Sequence, residues 1–290
     1  MTRKAGLRGL RPSPPIPELR LSKFLTAPLP APPPAADVSN GVTDWGMLGN
    51  DTYGDCGVAA YGHYLMAQAA TNGVYEPGFA VPTTANIESL YFAYGIAQGE
   101  PGPNPDQGVD NATFLKYLYD QALIEGFAQL DHTNSAEVQS AMIAFQGVFT
   151  GVQLDDDAES DFEAEPQIPW GSSPGDVPDP NDGHDTLLVY FDPTGGKLIT
   201  WGDAQPFVLE FEQQNITDQW VIFTKELAER AGVDITACQA AIEGWGGVIS
   251  PPSPPAPPSP APELHSRIDE VFSYALRMAH EIIDDVTGKL

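Results

Sequence analysis

An α+β fold follows from three features of the sequence. Apolar residues recur at helical spacing early in the central region, short β-rich runs divided by turn residues fill its later part, and proline-rich tracts bracket it. Helices first and strands afterwards is the α+β order, not the alternation of a parallel βαβ sheet. The 290 residues, 42 % hydrophobic and 10 % aromatic, suffice for one substantial packed core. The 29 prolines are clustered, so they mark where that core stops.

Taken in order, residues 1–40 contain "RPSPPIP" and "APLPAPPPAAD", which fix φ and remove backbone donors. An extended arm without helix, sheet or core is expected there. Its first 24 residues hold Arg3, Lys4, Arg8, Arg11, Arg20 and Lys23 against Glu18 alone, a net +5 that leaves −32 on the rest. Such an arm is either a solvated tail or lies on an acidic surface, another copy of this chain included. The body, 41–249, opens with helical patterns at 55–71, 84–98, 111–123 and 135–145, the last with Ser135 as its expected N-cap. Strands are expected at 147–154, 185–192, 197–203 and 219–226, with Pro193-Thr194-Gly195-Gly196 turning one hairpin. A polyproline spacer at 250–262, roughly 40 Å long at about 3.1 Å per residue, separates this body from a tail. The tail, 263–290, carries Leu264, Ile268, Val271, Ala275, Met278 and Ile282 on one stripe, an amphipathic helix whose apolar face needs a partner.

Two cysteines make no disulfide framework, and no N-terminal stretch has the apolar region of a secretory signal. Synthesis in a reducing cytoplasm is expected. No run approaches the roughly 18 apolar residues of a membrane span, so no membrane partner is expected. The strongly acidic body would repel a phosphate backbone, which disfavours nucleic acid as its ligand. No phosphate loop, dinucleotide fingerprint or zinc spacing occurs, and neither cofactor nor metal is expected. The acidic run "LDDDAESDFEAE" at 154–165 and the stretch "DPNDGHD" lack the ligand alternation of a calcium loop, and the former reads as a solvated loop beside a cleft.

The chemistry-bearing residues are Cys56 and His184. Cys56 stands where a glycine turn enters a helix, a position whose unpaired N–H groups and dipole favour a thiolate. Asp55 and Asp185 oppose that effect, and the sequence does not rank the two. His184 follows a glycine at the start of a strand, from which an imidazole can face a cleft; a thiol and an imidazole make a nucleophile pair. Cys238, on a helix with Ile235 and Ile242, reads as core. His63 is two helical turns from Cys56, too far to pair with it, and His132 and His265 read as surface residues.

The halves "NDTYGDCGVAA" and "GHDTLLVYFDPTGGKLITWGD", in that order, resemble the papain-like cysteine peptidases, especially compact bacterial and phage versions close to the double-glycine leader-peptidase type. The resemblance spans roughly 41–226. It implies a helical half carrying Cys56 as nucleophile and a sheet carrying His184 as general base and acid. Asn50, six residues before Cys56, stands where the family places an oxyanion-hole glutamine. The residue that orients the imidazole falls at Thr200 or Ile199, where the family has an asparagine or aspartate, and the nearest carboxylate is Asp203. Two functions stay open. One is an amide hydrolase acting on a peptide substrate. The other is an inactive structural protein, a minor capsid or tail component held to other subunits by residues 1–40 and 263–290. The resemblance and the appendages together imply a phage virion or comparable bacterial assembly.

Overall fold

The early helices and the later strands assemble into an antiparallel sheet with helices packed against it. The computed structural model describes residues 3–246 apart from 12, 72–73, 76–81, 174 and 176. The spacer at 250–262 and the helix expected over 263–290 lie outside the described residues. The N-terminal segment forms β1 (Leu10–Arg11), two 3₁₀ turns (Pro17–Leu19 and Leu21–Lys23) and β2 (Ala36–Asp37). There follow α1 (Cys56–Ala69), β3 (Ala70–Thr71), β4 (Val74–Tyr75), α2 (Thr84–Ala97), β5 (Val109–Asp110), α3 (Asn111–Asp120), β6 (Gly126–Gln129), α4 (Ser135–Phe145) and β7 (Val148–Gln153). The remainder is α5 (Ala158–Glu163), β8 (Gly183–Asp192), β9 (Gly195–Thr200), β10 (Asp203–Val208), α6 (Leu209–Asn215), β11 (Ile216–Phe223), α7 (Lys225–Ala231) and α8 (Ile235–Trp245).

The main sheet runs β10-β9-β8-β7-β11-β6, every neighbouring pair antiparallel, and β2 pairs with the far end of β8. Helix α1 packs on β8 and β9. It is buried nearly all round, which its small residues allow: a Cβ on Gly62 would come within 2.6 Å of Leu48. Helix α4 begins one residue earlier than the Ser135 cap implies, because Asn134 supplies the cap by accepting from the Glu137 N–H at 3.3 Å.

Two expectations are overturned. The run 154–165 is not a solvated loop: it contains α5, and Ala158, Asp161 and Phe162 are buried. Its apolar residues drive this, Phe162 packing edge-on to Trp201 with centroids 5.0 Å apart. Nor is the arm devoid of structure or core. Ile16, Leu19, Leu21 and Phe24 are buried, and the first 3₁₀ turn packs on α8 and β6. Full burial of a leucine contributes roughly 1.5–3 kcal/mol, so Leu19 and Leu21 alone make this segment part of the fold. Its prolines remove N–H groups that would otherwise require partners, and a chain can then lie on a surface with few backbone bonds.

Candidate active site

Cys56 is the first residue of α1, and the turn before it is held by glycines; Gly49 has φ of +105°. His184 is the second residue of β8, and α1 packs on that strand. The backbone of Asp185, the residue after His184, and that of Gly9 both lie beside the thiol. The helix start and the strand start therefore meet at the sulfur.

The imidazole is held from the opposite side. His184 Nε2 lies 2.6 Å from Thr200 Oγ1, and the Trp201 ring covers it with centroids 4.8 Å apart. Nδ1 is buried without a hydrogen-bond partner among the described residues. Thr200 and Asp203 face each other across a two-residue turn, Trp201-Gly202, with φ of +46° and +80°. Positive φ at both central residues matches the twist of a tight hairpin, and it is uncommon for a tryptophan. This register decides between the sequence candidates. Thr200 reaches the histidine and Ile199 is core, whereas Asp203 turns outward and pairs with Arg3 at 2.7 Å.

Asn50 is 2 % exposed and does not point into an open groove. Its amide donates to the Leu7 carbonyl at 2.9 Å and to the Tyr53 carbonyl at 3.2 Å, while the Leu7 N–H donates to the Asn50 carbonyl at 2.6 Å. The N-terminal strap, residues 3–11, thus lies across the place where α1 meets β8. Gly9 passes so close to Gly54 that a Cβ on it would sit 1.9 Å from the Gly54 carbonyl oxygen. The Gly9 carbonyl accepts from the Val109 N–H at 2.8 Å, and β1 pairs in parallel with β5. Beyond the groove, Arg3 bonds Glu165 and Asp203, the Ala5 N–H bonds Glu163, and Arg8 pairs with Asp182 and Glu159. The basic strap lies on the acidic surface of its own chain. The charge complementarity was readable in the sequence; the small residues at 6 and 9 were the unread sign of close backbone approach.

Burial settles the electrostatic contest at Cys56. It pushes the thiol far above its ordinary range, with repulsion from Asp185 adding to the rise, and the neighbouring backbone of Asp185 and Gly9 does not offset this. The thiolate favoured by helix position alone is not the form present under the strap. Burial also lowers His184 to about 3, Arg8 adding to the fall, so thiol and imidazole are both neutral at pH 7. Asp55 is raised to about 8, chiefly by burial, with Glu88 and Asp106 adding repulsion. His63 is buried, bonds the Gly46 carbonyl at 3.0 Å and is lowered by burial to about 4. His132 is half-buried, not fully on the surface, and His265 lies outside the described residues. Cys238 is core, its Sγ donating to the Phe127 carbonyl at 3.5 Å.

No family model and no curated protein matches this chain. Among solved structures it is similar to xylellain, a cysteine protease from Xylella fastidiosa, at 14 % identity and a TM-score of 0.54. The similarity covers 77 % of this chain and 97 % of xylellain. The fold is papain-like α+β.

Proposed function

We propose that this chain is a latent cysteine peptidase whose N-terminal strap plugs its own groove. The observation that carries the reading is the Leu7 carbonyl seated on the Asn50 amide, beside a sulfur that lies against backbone. A peptide already occupies the Asn50 amide that a substrate carbonyl would use. The Gly9 backbone of the strap lies beside the sulfur, where a substrate would have to enter.

With the strap displaced, His184 Nδ1 takes the thiol proton and Cys56 Sγ attacks a substrate amide carbon. The oxygen, now negative, is held by the Cys56 N–H and the Asn50 amide. His184 gives the proton to the leaving amine as the C–N bond breaks. Water, deprotonated by the same imidazole, then cleaves the thioester, releasing the acid and restoring the thiol. Thr200 is a positioning residue: its hydroxyl fixes the ring through Nε2 but brings no charge to stabilise an imidazolium.

The test uses Gly9→Val, whose side chain has no room under Gly54. The opened full-length chain should hydrolyse a fluorogenic peptide and take up an epoxysuccinyl inhibitor on Cys56, both abolished by Cys56→Ser. An opened, folded chain that does neither refutes the enzyme and leaves the structural reading. Incorporation into a larger particle, a virion among them, is a separate proposal. It is favoured by the apolar stripe at 263–290 and tested by deleting those residues and measuring incorporation.

A further inference from the structure

Beside Cys56, beneath the strap, lies a pair of carboxylates that the reaction above does not use. Asp185 and Asp218 are each 2 % exposed, and one Asn111 amide group joins them, 2.8 Å from Asp185 Oδ1 and 3.4 Å from Asp218 Oδ2. Trp220 Nε1 donates to Asp218 Oδ2 at 2.7 Å and the Thr217 hydroxyl to Oδ1 at 3.1 Å. Asp185 Oδ2 and Asn111 Oδ1 are buried without a partner among the described residues, although burying an unpaired polar atom costs about 1–3 kcal/mol. Among the described residues neither carboxylate forms an ion pair.

Leu10 lies beside Asp218 at the edge of this pair. It is paired with Val109, and its side chain lies against Gly151 next to Asp218 Oδ1. Three glycines admit close neighbours around the two acids, the Val109 side chain beside Gly57 among them. A Cβ on Gly57 would meet Asp185 Oδ2 at 2.8 Å, one on Gly151 would meet Asp218 Oδ1 at 2.2 Å and Leu10 Cδ2 at 2.9 Å, and one on Gly183 would meet the Leu10 carbonyl at 2.4 Å. An aliphatic side chain beside Asp218 gives a carboxylate no partner. Among the described residues no three His, Cys, Asp or Glu gather as metal ligands, so the donor set suits an organic cation better than a metal ion.

We propose that the pocket floored by Asp185, Asp218 and Asn111, filled by Leu10 in the plugged chain, receives the lysine or arginine side chain of a peptide substrate. The inference rests on the peptidase reading for the word substrate and on the geometry alone for the cation. A guanidinium or ammonium there would pair the free Asp185 Oδ2, give Asn111 Oδ1 a donor and let both acids ionise. Leu10 is the holding residue of a plug, and so need not be the side chain the site prefers.

The strap itself is the first probe. Leu10→Lys, Leu10→Gln and Leu10→Glu are compared in the full chain by thermal melting at pH 7.5. The lysine variant should melt at least about 3 °C above the glutamine variant and the glutamate variant below both, with the lysine advantage lost in Asp218→Asn. A lysine variant melting below the glutamine variant overturns the proposal. The second probe is turnover by Gly9→Val of two peptides differing only in Arg or Leu at the residue preceding the acyl residue. The arginine peptide should have kcat/KM at least about tenfold higher, and Asp218→Asn should remove the difference. Turnover that favours leucine overturns the pocket and leaves the peptidase. Lysine stabilisation without turnover of either peptide supports the pocket and overturns the peptidase.

Discussion

The two cysteines are both free and almost wholly buried, and burial raises both thiols, Cys238 to about 12 and Cys56 further still. By exposure and by the direction in which burial moves their acidity they are alike. They differ in what covers them. Cys238 is sealed by α8 against β6, its sulfur on the Phe127 carbonyl, and nothing short of opening the core would reach it. Cys56 is sealed on one side by the strap, nine residues held to the body by β1, by the Leu7–Asn50 bonds and by ion pairs at the surface. A covering held that lightly opens at lower free energy than a core. A buried thiol is thus inert or latent according to which part of the chain must leave, and neither its exposure nor its pKa tells the two apart.

Removing the cover should have the largest effect. Gly9→Val should raise iodoacetamide labelling of Cys56 by about two to three orders of magnitude over the native chain while Cys238 stays unlabelled, read by peptide mass mapping. Equal labelling of the two would mean that the variant has lost its core and not only its strap. Within the opened chain, His184→Ala should lower Cys56 labelling below pH 7 by about a hundredfold and Thr200→Val by about tenfold, the latter with a shifted pH profile. Labelling at the rate of an ordinary thiol, indifferent to both substitutions, would show that Cys56 has no working partner in His184.

The acids beneath the site predict the pH response. A carboxyl raised by folding holds its proton more tightly in the native state, so its contribution is complete below about pH 4 and is lost as pH rises through about 6 for Asp218 and about 8 for Asp55. The lowered histidines run the other way: their contribution is present above about 6.5 and is lost as pH falls through about 4 for His63 and about 3 for His184. Asp55→Asn should therefore stabilise the chain more at pH 8 than at pH 5, by about 2 kcal/mol in urea unfolding. Equal effects at both pH values would show that Asp55 titrates normally. The smallest effect belongs to the strap's surface ion pairs. Raising salt from about 0.05 to 0.5 M should speed Cys56 labelling in the native chain by roughly two- to fivefold and leave Cys238 unaffected.

Much of the local structure was legible. The helix at 84–98 is observed at Thr84–Ala97 and that at 135–145 at Ser135–Phe145, because their periodicity is long and unbroken. The hairpin at 193–196 joins β8 to β9 where its proline and glycines place it. The short β6 and the strand β10 went unread: β6 is four residues buried throughout and carries no alternation, and β10 contains Pro206, which demotes a strand read from sequence alone. The acidic run misled because its charges are conspicuous while its anchoring residues, Ala158 and Phe162, are few.

What the sequence by itself determined is the placing of a cysteine at a helix start and a histidine at a strand start; the strand expected over 197–203 instead ends at Thr200 and turns at Trp201-Gly202. Helix caps, glycine turns and strand alternation are set by residues a few positions apart, and such short-range preferences survive in any surroundings. Only the tertiary structure decided that the basic strap lies on its own body, that Asp203 faces Arg3 and not the histidine, and that thiol and imidazole are both neutral. Those outcomes depend on groups from 43 to 200 positions apart meeting in space, as Leu7 meets Asn50 and Arg3 meets Asp203, and on the water their meeting excludes.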